Sequence, residues 1–96
     1  MGKIYVGQTA LRFELTTDID VNGATCNIKY KKPDGTIATW SGIIDDPDRG
    51  IFHYDITSAS DLDQAGDWVL WAHVTFNDSS YAPGEPNTIE VYEEGK

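Results

Sequence analysis

The sequence predicts a single all-β domain, two antiparallel sheets packed face to face, and three observations carry that reading. Apolar residues recur at every second position in several separate runs. Turn-forming clusters stand between those runs, and no long stretch has the 3.6-residue period of an amphipathic helix. The chain has 96 residues, the size of one domain with one core.

The alternation is explicit. Leu11, Phe13 and Leu15 alternate with Arg12, Glu14 and Thr16, and Ala24, Cys26, Ile28 and Tyr30 alternate with Thr25, Asn27, Lys29 and Lys31. Phe52, Tyr54 and Ile56 alternate with His53 and Asp55. Trp68, Leu70, Ala72, Val74 and Phe76 alternate with Val69, Trp71, His73 and Thr75, and Ile89 and Val91 with Thr88, Glu90 and Tyr92. Successive side chains of a strand point to opposite faces, so each run has one face for the core and one for water. Pro33-Asp34-Gly35, the stretch Asp18 to Gly23, Asp45 to Gly50, and the segment from Asn77 to Pro86 supply the turns. The reading is seven strands, near 3–7, 10–17, 24–32, 36–43, 50–56, 67–76 and 86–93, with at most one helical turn at 58–66 capped by Ser58 or Ser60.

Composition excludes several classes. The formal net charge of −9 repels phosphate backbones, so nucleic acid and anionic membrane are not expected partners. No run approaches the ~20 apolar residues of a membrane span. The opening Met1 to Gly7 lacks an apolar h-region and is not expected to be a signal peptide. Cys26, the single cysteine, has no internal disulfide partner and reads as a small core residue.

Catalytic and metal signatures are not evident. His53 and His73 fall on outward faces of different strands and read as solvated. Asp45-Asp46-Pro47-Asp48 and the set Asp61, Asp63, Asp67 offer oxygen ligands without the spacing of a calcium loop. No nucleophile elbow or phosphate-binding glycine loop is present. The expectation is a non-catalytic protein without cofactor or metal. Its gripping surface is the outer face of the longest strand, Val69, Trp71 and His73, joined by Trp40 and Tyr92 if strand order brings them alongside.

Two stretches carry a resemblance. Asp61-Leu62-Asp63-Gln64-Ala65-Gly66-Asp67-Trp68-Val69-Leu70 resembles the corner that enters strand F of immunoglobulin-like sandwiches, with Trp68 at the tyrosine place and Leu70 at the place of the second core cysteine. Ile28 to Gly35 resembles the strand C region. The opening Ile4 to Ala10, the run Lys31-Lys32-Pro33-Asp34-Gly35-Thr36 followed by Trp40, and the run Asp61 to Trp68 together look like small immunoglobulin-like proteins of tailed bacteriophages. That resemblance implies a seven-stranded antiparallel immunoglobulin-like β-sandwich over 1–96. It implies assembly in a bacterial host cytoplasm and a structural role in the virion, docked on capsid, tail or baseplate proteins. A carbohydrate-binding module that stacks a glycan on exposed aromatics is the alternative.

Overall fold

The computed structural model describes residues 3–95 and contains strands, turns and loops only. The nine strands are β1 (Ile4–Tyr5), β2 (Leu11–Thr16), β3 (Thr25–Lys31), β4 (Ile37–Ser41), β5 (Ile43–Asp46), β6 (Ile51–Ile56), β7 (Gly66–Thr75), β8 (Tyr81–Pro83) and β9 (Asn87–Tyr92). One sheet runs β1-β9-β7-β3-β4, with β8 also paired to β7. The other runs β2-β6-β5. All pairs are antiparallel except β1 with β9, where Ile4 meets Val91 and Tyr5 meets Tyr92 in parallel. The expected seven-stranded, wholly antiparallel count is corrected to nine strands of mixed orientation. The all-β, two-sheet class stands.

The extra strands have local causes. The run expected as one strand at 36–43 divides at Gly42, where the chain leaves the larger sheet and joins the smaller. Gly42 N–H donates to Cys26 O at 2.9 Å. A Cβ there would lie 2.6 Å from both that oxygen and a ring carbon of Phe52. Only a residue without a side chain lets the backbone cross this close to the core. β8 arises because the chain turns back at Asp78 to Ser80: Asp78 accepts from Ser80 N–H at 3.0 Å, and Phe76 N–H donates to Ser80 O at 2.8 Å. At 58–62 a single turn forms rather than a helix, with Asp61 N–H donating to Ser58 O.

The core is one aromatic stack capped by aliphatics. Trp40, only 5% exposed, has its ring 4.2 Å from Tyr30, 5.1 Å from Tyr54, 5.8 Å from Phe13 and 6.2 Å from Trp68. Phe52, Ile28, Ile56, Leu62, Val21, Val74 and Val91 close around it. Trp68 is fully buried, and its Nε1–H donates to Gln64 O at 2.9 Å, so its one polar atom is satisfied by the backbone four residues upstream. The two runs richest in turn residues also meet. Gln64 Nε2 donates to Asp34 Oδ2 at 2.8 Å, and Lys32 pairs with Asp63 at 2.9 Å. The β3–β4 hairpin is thereby clipped to the crossover that delivers β7.

Candidate functional site

Of the five expected surface residues, the structure brings three together. Val69, Trp71 and His73 share the outer face of β7, each half-buried. Lys31, Lys29 and Asn27 lie opposite them on β3. The His73 ring stacks on Tyr81 at 5.1 Å. Burial, then the charge of Lys29, hold the His73 pKa below the ordinary imidazole value.

Trp40 is a correction: it pairs with Ile28 on β3, so it shares the inward face and forms the centre of the core. Tyr92 is a second. It faces outward but stands beyond Gly66 in the β7–β9 register, roughly 20 Å along the strands from Trp71. There it packs with Tyr5 at 6.4 Å and under Lys3 at 4.5 Å. Its hydroxyl donates to Glu90 Oε1 at 3.0 Å, which raises its pKa.

His53 is not solvated as expected. It faces outward from the central strand of the smaller sheet, yet is 6% exposed. Its Nδ1 lies 2.6 Å from Asp45 Oδ2 and its Nε2 3.6 Å from Asp55 Oδ2. Asp55 in turn takes Arg12 Nε at 2.7 Å and Nη2 at 3.2 Å. Parity alone cannot reveal this, because the cover comes from β2 and β5. Four other carboxylates of the two acidic stretches are tied to neighbours: Asp48 to Asn22, Asp46 to the Arg49 backbone, Asp61 to Tyr54, Asp63 to Lys32. Burial pushes the Cys26 thiol pKa up, which suits a packing residue better than a nucleophile.

These ties set an acid limit. The Asp34 carboxylate accepts from Thr36 and Gln64, Asp55 from Arg12, Asp20 from Asn22 and Asp78 from Ser80. All four have pKa values held below the ordinary 3.8. A carboxyl depressed on folding stabilises the native state above its unfolded pKa, and that stabilisation is lost as pH falls through the folded value. His73, depressed below 6.5, acts in the same direction: the unfolded chain takes up its proton first. The melting temperature is expected to be highest between about pH 7 and 8, to decline slightly below 6.5, to fall steeply below about 4, and to decline again above about 9, where the unfolded chain gives up the Cys26 thiol proton first. Asp34→Asn is expected to flatten the steep limb in a pH series of thermal melts.

The residue set that sequence reading missed lies at the side of the sandwich. β2 forms one edge of the smaller sheet and β8 lies on the same flank of the larger. Between them runs a groove of about 640 Å³, walled by Glu14 to Ile19 and by Ala82 to Asn87. Leu15, half-buried, brings apolar surface to it, and the nearly buried Ala72 and Val74 lie behind. Thr17 N–H donates to Gly50 O at 3.0 Å, which fixes the phase of β2. The odd residues from Leu11 to Thr17 exchange bonds with β6, so the backbone N–H and C=O groups of Arg12, Glu14 and Thr16 project from the free edge. Glu14, Asp18 and Glu85 stand exposed along the groove, and no basic side chain lines it. The Thr17 hydroxyl, donating to Gly50 O at 3.1 Å, anchors the wall. Sequence shows strands, and this groove is a place between two of them left unfilled.

Taken together, the arrangement is that of an all-β sandwich with an open flank. No family model and no curated protein matches the sequence. Among solved structures, the fold is similar to CopC from Methylosinus trichosporium OB3b, with a TM-score of 0.57, 12% identity, and coverage of 100% of this chain and 89% of that one. At that identity the likeness concerns the fold.

The comparison corrects the expected virion role. The similar structure is CopC, and nothing found links the chain to capsid, tail or baseplate proteins. The glycan-binding alternative gains no support either.

Among the described residues no three His, Cys, Asp or Glu side chains converge as a metal site. His53 and His73 lie on opposite sheets. The carboxylate beside His53 Nε2 is already held by a guanidinium, whose charge opposes a cation there.

Proposed function

We propose that the chain is a non-catalytic binding domain that accepts an extended, basic segment of a partner protein as an added strand in the groove between β2 and β8. The observation that carries this reading is the free, register-defined edge of β2 beside a mainly polar groove, rimmed by Glu14, Asp18 and Glu85 and with Leu15 half-buried on its inner side. Strand addition draws affinity from main-chain hydrogen bonds and specificity from alternate side chains. In this groove one set of alternate residues meets the Leu15 side chain, and the other meets carboxylates, so an apolar–basic alternation is the complementary pattern. The volume lies within the ordinary range of ligand clefts. We also propose an immunoglobulin-like arrangement. The β2-β6-β5 sheet facing β9-β7-β3-β4, with the Trp68 side chain tied to the Gln64 carbonyl at the entry to β7, supports it.

The test is a titration of the full chain with a synthetic peptide alternating valine and lysine, followed by backbone amide shifts. The expected result is saturable movement of the Arg12, Glu14 and Thr16 amides, weakening as salt rises. Glu14→Lys with Glu85→Lys is expected to slow association and flatten its salt dependence. No movement at ~1 mM peptide, or equal binding of a valine–glutamate peptide, overturns the reading.

A further inference from the structure

Exposed sheet edges invite pairing, and proteins blunt them with charge, proline, bulges or brevity. Most edges here are blunted. β2 carries Arg12 and Glu14, charges that disfavour pairing with a second β2, β8 ends in Pro83, and β1 has two residues. β5 carries Asp45 and Asp46 and has a register shift between Ile44 and Asp46. The exception is β4, the outermost strand on the flank away from the groove. Its sequence, Ile37-Ala38-Thr39-Trp40-Ser41, holds no charge and no proline.

The phase of β4 is fixed at both ends. Lys32 N–H donates to Thr36 O at 2.8 Å and Gly42 N–H to Cys26 O at 2.9 Å. Even-numbered residues therefore exchange bonds with β3, and the N–H and C=O groups of Ile37, Thr39 and Ser41 project outward. The side chains of these three are exposed as well, Ile37 at 59%.

We infer that β4 is a self-pairing edge through which two copies of this chain join antiparallel about a two-fold axis at Thr39, making one sheet continuous across both. The partner is a second copy because the edge complements itself. Antiparallel pairing centred on Thr39 sets Thr39 against Thr39 and Ile37 against Ser41, with about six main-chain hydrogen bonds. Threonine pairs are favourable across strands, and no like charges meet on the joined strands. Lys29 sits one strand further in, about 14 Å from its copy, and is screened at ordinary ionic strength. The interface is isologous and closes at two, because pairing consumes the one edge of each copy that suits a second copy.

The experiment is sedimentation equilibrium of the full chain from ~10 μM to ~1 mM, with amide hydrogen exchange at both ends of that range. The expected result is a rise of the average mass from 10.6 kDa toward twice that value. The rise should be steeper at high salt, where the net charge of −9 on each copy is screened. The Thr39 amide should exchange more slowly at the higher concentration. Thr39→Pro removes an outward donor without touching a β3 bond, and Ile37→Lys places a charge on the edge. Each should return the mass to that of one chain with the circular dichroism unchanged. If Thr39→Pro fails to fold, Ile37→Lys decides alone. A single-chain mass throughout, growth past two copies, or a pair that survives Ile37→Lys overturns the inference. None of these outcomes bears on the groove, which lies on the other flank.

Discussion

Replacing Trp40 by alanine is expected to cost about 3–5 kcal/mol, the range for deleting a large aromatic from a packed core. Trp40 is the hub of the core: Tyr30, Tyr54, Phe13 and Trp68 all contact its ring, and no smaller side chain reaches all four. Domains of this size are stable by ~5–15 kcal/mol, so the variant sits near its unfolding threshold. A thermal melt should show a midpoint lowered by roughly 15–30 °C. Trp71→Ala is the control. Trp71 is half-buried on the outer face of β7, and its removal leaves that stack intact, so a loss below about 1 kcal/mol is expected. Equal losses for the two tryptophans would contradict the assignment of one to the core and the other to the surface.

Gly50→Ala is expected to be the second costly change, at about 2–4 kcal/mol. Two terms combine there. Gly50 has φ of +70°, a conformation that costs an L residue ~1–2 kcal/mol. An added Cβ would also overlap the Thr17 hydroxyl and approach Ile19 O at 2.5 Å. Gly23 separates the terms: its φ is +77° and nothing lies near its missing Cβ. Gly23→Ala should therefore lose only the conformational part. In chemical denaturation the difference between the two midpoints reads the steric part alone. Because Thr17 anchors the groove wall, Gly50→Ala should also weaken the valine–lysine peptide more than Gly23→Ala does.

Much of the sheet structure was legible because it is written at period two. The faces of β2, β3, β7 and β9 follow from alternation, which also places Trp68 and Leu70 on the buried face of β7. What was not legible depends on long-range placement. Trp40 has the parity of Ala38, opposite to Ile37, and only the pairing with Ile28 decides which set is hidden. His53 has outward parity, and it is flanked by Glu14 on β2 and Ile43 on β5 and held by Asp45 of β5 and Asp55 of its own strand. The division at Gly42 is a close approach to Phe52, ten residues further on. Besides the opening Ile4 to Ala10 and Trp40, the phage resemblance rested on two turn-rich words, Lys31 to Thr36 and Asp61 to Trp68. The structure shows those words clipping a hairpin to a crossover, a local task that any sandwich with this connection can set. The groove needs two edges and an empty place between them, and no residue pattern spells a vacancy of that kind.

The parallel pairing of β1 with β9 has a mechanical meaning. Chain entering at Lys3 and chain leaving at Glu93 emerge from opposite ends of that short ladder. Tension applied along the polypeptide pulls the two strands lengthwise past each other. The contacts between them, including Val6 N–H to Tyr92 O at 2.9 Å, are then loaded together in shear rather than peeled one after another. Stretched between two attachments, the domain would yield first by slip at this seam, before the tryptophan core bears any strain.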